Sequence, residues 1–184
     1  MAHVCPWWLG FFLVNPLRKF KQNPENILGP HIRQGMTLLD VGSGMGYFSI
    51  PMAGMTGSKG RVVCLDVQEK MLRFLRKRAA KAGLTGTIVS RLCAPGSLGI
   101  DDLAGTVDFA MLFAVAHEVP DRERLFAELW RSLKPGGRVL FAEPKGHETH
   151  AGFDRSIGIA KNCGFAVVET LQIWRSYAVL LSKR

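Results

Sequence analysis

Apolar residues recur along this chain in two alternating patterns. Short, mainly apolar runs suit buried parallel strands. They fall at Thr37–Val41, Arg61–Asp66, Thr87–Leu92, Val107–Phe113 and Arg138–Glu143. Between them lie segments with helical spacing. Gln68–Ala82 places Met71, Leu72, Leu75, Ala79 and Ala82 on one stripe, and Gly83 follows as a C-cap. Asp121–Leu133 turns Leu125, Phe126, Leu129, Trp130 and Leu133 to one side, and Pro135-Gly136-Gly137 stops it. Shorter helices are predicted at Pro24–Ile32, at Tyr47–Met55 with Pro51 as a potential kink, and at Phe153–Cys163. Phe165–Thr170 and Ser176–Ser182 follow without a helix between them, which predicts an antiparallel hairpin at a sheet edge. The alternation predicts an α/β fold: a Rossmann-like, doubly wound, seven-stranded sheet, mostly parallel. Residues 1–34 read as an aromatic lead and helix, and 35–184 as the main domain. In such sheets ligands sit beyond the carboxyl ends of the strands where strand order reverses, here between the strands ending at Val41 and Phe113.

Composition narrows the class. With 184 residues, 47% of them apolar, the chain can bury a full core without a disulfide or metal. The longest apolar run, Val4–Val14, is broken by Pro6 and Gly10 and falls well short of the ~20 residues of a membrane-spanning helix. Its neighbouring charges, Arg18, Lys19 and Lys21, follow the apolar stretch, the reverse of a secretory signal. Cys5, Cys64, Cys93 and Cys163 are too widely spaced for a disulfide framework or a zinc ribbon. A cytoplasmic protein is expected. The net charge of +9 permits an acidic partner without choosing one. Lys70, Arg73, Arg76, Lys77, Arg78 and Lys81 read as the solvated face of the Gln68 helix.

The sharpest chemical signal is Leu38-Leu-Asp40-Val-Gly42-Ser43-Gly44-Met-Gly46-Tyr47. A strand runs into a glycine turn and then a helix, whose free N–H groups and bare backbone suit a ligand. A dinucleotide fingerprint needs a glycine at position 47; Tyr47 stands there and Gly46 precedes it. With Asp40 before the turn and Asp66 ending the second strand, the chain resembles the class I S-adenosylmethionine-dependent methyltransferases of the small-molecule branch, which includes the quinone-biosynthesis C-methyltransferases. The likeness runs from about Gly35 to the C-terminus. It includes Leu133-Lys-Pro-Gly-Gly137 and Ala114-Val-Ala-His-Glu-Val-Pro-Asp121.

The resemblance implies S-adenosylmethionine as cofactor. It puts Gly42, Ser43, Gly44 and Gly46 around the methionine portion, Asp40 near its amino group, Asp66 on the ribose diol and Val67 on the adenine. Phe113, at the end of the fourth strand, joins this set. Cys93 stands where the family usually has an acid, so the adenine amino contact falls to backbone near Cys93 and Ala94. No N-P-P-Y segment follows the fourth strand, which argues against methylation of exocyclic amines in nucleic acids. No thiol occurs between Phe113 and Val119, which separates the chain from metalloid methyltransferases. Bland readings stand beside these: the glycines as a mere tight turn, Asp66 as a helix cap.

His117, four residues past the fourth strand, has the pKa range of a general base, or is a polar loop residue that caps a helix or touches cofactor. Glu143, ending the fifth strand, can orient His117, bind a polar substrate group or anchor its loop. His147 and His150 make a His-x-x-His pair on a loop, with His3 and Cys5 in the lead; without a fixed partner this is weak evidence for a metal, and none is expected. Trp7, Trp8, Phe11 and Phe12 would be costly in water. A lid over the site is the favoured reading; core packing, a homodimer or peripheral membrane contact are the others. A small or lipophilic acceptor is the expected substrate. The rivals are an RNA or protein methyltransferase docking through the basic helix, and a cofactor-binding protein without catalysis.

Overall fold

The computed structural model describes residues 16–184. The aromatic lead with Trp7, Trp8, Phe11 and Phe12, and with it His3 and Cys5, lies outside the described residues. Two compact units meet in sequence at Cys93 and Ala94. The unit up to Cys93 holds α1 (Pro24–Leu28), β1 (Thr37–Val41), α2 (Ser49–Thr56), β2 (Arg61–Asp66), α3 (Glu69–Lys81) and β3 (Ile88–Leu92). Its strands are parallel with β2 in the middle, and Asp40 stands opposite Cys64. Leu38, Leu39, Val62, Val63, Cys64 and Leu65 are buried, as continuous apolar strands covered on both faces should be. Met71, Leu72, Leu75 and Ala79 of α3 are buried as the stripe predicts, while Ala82 lies past the helix end and is exposed.

Two boundaries here differ from expectation. Asn23 caps α1 by accepting from Glu25 N–H, and the helix closes at Gly29 rather than reaching Ile32. Helix α2 begins at Ser49, two residues later than predicted. That places Pro51 in its first turn, where no intrahelical N–H is needed, so it introduces no broken hydrogen bond.

The unit from Ala94 holds β4 (Val107–Phe113), α4 (Arg122–Ser132), β5 (Leu133–Pro144), α5 (His150–Asn162), β6 (Phe165–Thr170) and β7 (Ser176–Lys183). β4 and β5 are parallel, while β7 runs antiparallel to both β5 and β6. The seven strands form one sheet in the order β3-β2-β1-β4-β5-β7-β6, with the expected C-terminal hairpin at its edge. Phe126 meets Phe141 and Phe165 edge-on, with ring centroids 5.4 and 6.3 Å apart, and Phe141 stacks on Phe153 at 4.8 Å. Such pairs add to the burial of large apolar rings.

Three features of this unit escaped the sequence pattern. β5 starts at Leu133, so Pro135-Gly136-Gly137 lies inside its span instead of before it. The reason is that Leu133 already has extended backbone and pairs with Val107, and the register then shifts before Arg138. α5 starts at His150, three residues early, because Thr149 Oγ1 accepts from Gly152 N–H as an N-cap. Glu128, on the buried side of α4, is 5% exposed. It accepts from Ser97 Oγ and Leu98 N–H and pairs with Arg124. Burial pushes its carboxyl upward, but those donors together hold it below its ordinary value.

Candidate functional site

The glycine turn after β1 is held in shape from β2. Gly42, Gly44 and Gly46 have φ of 69°, 53° and 81°, a region that only glycine enters freely. A Cβ at Gly46 would also stand 3.2 Å from Leu75 Cγ. Ser43 N–H donates to the Leu65 carbonyl at 2.8 Å, and Gly44 N–H to Asp66 Oδ2 at 2.9 Å. Asp66 Oδ1 accepts from Gln68 N–H at 2.8 Å. The carboxylate therefore closes a turn on the residue before α3 without capping the helix itself, and also anchors the turn 22 residues upstream. Burial raises its pKa, opposed by the N–H groups of Gln68, Gly44 and Val67. Cys93 N–H donates to the Asp66 carbonyl at 3.1 Å, which brings the start of the predicted adenine segment to the same strand end.

Asp40 sits deeper. Ser49 Oγ donates to its Oδ2 at 2.5 Å, and burial pushes its pKa up to about 7, with Asp66 adding to the rise. Burial and the neighbouring Asp40 push the Cys64 thiol far up, so it stays a protonated, inert core group. Arg78 was read as part of the solvated face of α3. Its Nη1 instead donates to the Met45 carbonyl at 2.5 Å and braces the glycine turn from behind. The signal for this was present, since Arg78 continues the spacing of Met71 and Leu75.

Ala94 is exposed and bridges to Ser97, whereas Phe113 is buried at the end of β4. The chain leaves β4 through Ala114, whose φ of 59° is strained for a residue with a side chain. This turn aims Val115 N–H and Ala116 N–H at Glu143 Oε1, 3.2 and 2.7 Å away. The other oxygen, Oε2, meets His117 Nδ1 at 2.5 Å. Glu143 is 0% exposed, and its position on β5 is fixed by pairing with Tyr177 of β7. The carboxylate thus anchors the loop and orients the imidazole at once, so two of the roles open to it coincide. His117 Nε2 lies 3.9 Å from Glu118 Oε1. The hydrogen bond to Glu143 raises the His117 pKa against partial burial, and the charges of Glu143, Glu118 and Glu148 add to the rise.

His147 stacks on His117 with centroids 5.3 Å apart. His150 turns elsewhere, pairing with Asp154 at 2.8 Å and meeting Tyr177 edge-on. Among the described residues no three His, Cys, Asp or Glu side chains converge as metal ligands. Among them, too, no helix is long and apolar enough to cross a membrane.

A methyltransferase-domain family profile matches residues 39–141, a span that contains the glycine turn, Asp66 and His117. The ubiquinone/menaquinone biosynthesis C-methyltransferase UbiE of Enterobacter sp. (strain 638) is 31% identical over 112 residues, which is 61% of this chain and 44% of the relative. The chain thus spans less than half the length of that curated relative. A solved S-adenosylmethionine-dependent methyltransferase from Aquifex aeolicus superposes with a TM-score of 0.85 at 24% identity, covering 98% of this chain and all of that one. The [4+2]-cyclase SpnF superposes at 0.69 with 20% identity over 80% of this chain and 59% of its own, so the same fold also carries a different reaction. With more than half its length matched by the family profile, the chain belongs to the methyltransferase-domain family.

Proposed function

We propose that the chain is an S-adenosylmethionine-dependent methyltransferase acting on a small or lipophilic acceptor that gives up a proton as it is methylated. The observation that carries this reading is the buried Glu143 carboxylate holding His117 Nδ1 at 2.5 Å. Ionised Glu143 only accepts hydrogen bonds, so Nδ1 carries the proton and Nε2 keeps its lone pair. That nitrogen takes the proton from the acceptor as the new bond to the methyl carbon forms. The resulting imidazolium is stabilised by Glu143 and by Glu118. An amine would attack without such a base, whereas a hydroxyl or an activated C–H needs one. The curated relatives, named as C-methyltransferases of quinone biosynthesis, support a small lipophilic acceptor.

The residues of the glycine turn fit the cofactor. Ser43 Oγ is buried yet has no hydrogen-bond partner among the described residues, a costly state that a polar ligand atom would relieve. Gly44 leaves open space where a Cβ would stand. Asp66 accepts from the backbone N–H groups of Gly44, Gln68 and Val67, and a carboxylate's two oxygens have room for a further donor from a diol. Ser43, Gly44 and Asp66 would hold the group, Asp40 its amino end, and Val67, Cys93 and Ala94 its base, with Phe113 a further member of the set. When bound, the cofactor supplies an electrophilic methyl group and a good leaving group; the chain aligns the acceptor, excludes water and removes the proton. We place the protein in the cytoplasm, where its four widely spaced cysteines would stay reduced.

Calorimetry tests the reading: S-adenosylmethionine and S-adenosylhomocysteine bind in the micromolar range and NAD does not. Tight NAD binding without S-adenosylhomocysteine binding overturns it; binding without turnover on any acceptor reduces the chain to a cofactor-binding protein. The ribose clamp has its own prediction. Asp66→Ala weakens S-adenosylhomocysteine binding by ~1.5–3 kcal/mol, the range for hydrogen bonds to a charged group. A folded variant with unchanged affinity would make Asp66 only the anchor of the turn and of α3.

A further inference from the structure

Arg122, the first residue of α4, holds four partners with one guanidinium. Nε donates to the Ala116 carbonyl at 3.1 Å, immediately before His117 in the chain. Nη1 donates to Ser156 Oγ at 2.6 Å and to the Gly152 carbonyl at 3.4 Å, both in α5. Nη2 pairs with Glu148 Oε2 at 2.7 Å, in the loop whose His147 stacks on His117. From this clasp we infer that Arg122 is a positioning residue for His117: it fixes the short helical turn that carries the imidazole and holds the Glu148 carboxylate as a neutral pair beside it. The inference rests on reading His117 as the base, but not on the identity of the acceptor.

The argument is geometric first. Ala116–Glu118 is a single 3-10 turn, too short to hold its own direction. Its N-terminal side is tied to Glu143 through Val115 and Ala116 N–H. The Ala116 carbonyl points to the guanidinium. A planar fork with fixed donor angles suits this task, and a lysine offers a single mobile point charge in its place. The charge argument follows. The groups facing His117 are Glu118 on its own turn, Glu143 from β5, and His147 and Glu148 from the loop before α5. Arg122 from α4 neutralises Glu148. Without it, the Glu148 charge beside the imidazole has no ion-pair partner and keeps only the Thr149 N–H.

An arginine that merely staples α4 to α5 would leave the titration of His117 alone, which gives the test. The full chain, labelled at histidine, is titrated by NMR without substrate. In Arg122→Met the His117 midpoint moves upward, because Glu148 is no longer neutralised. In Glu148→Gln it moves downward, because a bare guanidinium remains. In the double variant it returns near the wild-type position. A midpoint unmoved in both single variants overturns the inference, as does a double variant that keeps the displacement of Arg122→Met. Should Arg122→Met not fold, Glu148→Gln alone decides by whether the midpoint falls or stays. The outcome is independent of turnover, so a failure of His117 as base would appear in activity assays and leave this titration intact.

Discussion

His117→Ala lowers turnover by roughly 10²- to 10⁴-fold while S-adenosylhomocysteine binding and the fold persist, the range expected when a positioned general base is lost. The fold persists because Glu143, not His117, ties the loop after β4: its Oε1 holds Val115 and Ala116 N–H whether or not the imidazole is present. The pH dependence carries the sign of the assignment. Nε2 accepts a proton only while the ring is neutral. The hydrogen bond that Nδ1–H donates to Glu143 raises the ring's pKa above its ordinary value of about 6.5, and nearby carboxylates add to this. Wild-type turnover therefore falls as pH drops through a midpoint above 6.5, and this limb is absent from the residual rate of His117→Ala. Near-normal turnover in the variant, or the same limb in both proteins, would remove His117 from the chemistry.

Local pattern carried most of the fold and one half of each candidate site. The strands were readable because each is a short, mainly apolar run, and α3 because its stripe has one period. The glycine turn was readable because Gly46 replaces a glycine at 47. His117 and Glu143 could be named as partners because His117 follows the end of β4 and Glu143 stands near the end of β5, and the two strands lie side by side. What stayed hidden depends on ties that no local window contains. Arg122 looks like any charged residue in the first turn of a helix, and its meaning comes from Gly152 and Ser156, 30 and 34 residues away. Glu128 looks like an exposed helix glutamate until Leu98 N–H, 30 residues earlier, reaches it. The early start of α5 is a different case. Thr149 is an ordinary cap residue, but Gly146 and Gly152 on either side disguise the helix entry as loop.

Asp40→Asn should raise thermal stability at pH 8 and weaken cofactor binding together, and the reason lies in its burial. Its carboxyl is pushed up to about 7 from an ordinary 3.8, chiefly by desolvation, with Asp66 adding to the rise and the Ser49 hydroxyl opposing it. For an acid raised in the folded state, the stabilising contribution is full below about pH 4 and is lost as pH climbs through about 7. Above that the fold carries a buried charge at a cost on the order of 4 kcal/mol. Asparagine reproduces the protonated acid: its carbonyl oxygen still accepts from Ser49 Oγ, and it never ionises. Wild-type Tm therefore declines between pH 4 and 8, while the variant's profile is flatter and crosses above it. The same substitution removes the negative charge proposed to face the cofactor's amino group. A hydrogen-bonded charge is worth about 1.5–3 kcal/mol, so binding weakens by roughly 10- to 150-fold. Cofactor affinity in the wild type should also strengthen from pH 6 to 8 as Asp40 ionises. A variant less stable than wild type at pH 8 would show that Asp40 is ionised at low cost. An unchanged affinity would show that the acid serves β1 and Ser49 alone. Gain in one measurement with loss in the other is the signature of a residue kept at the expense of the fold because the site needs its charge.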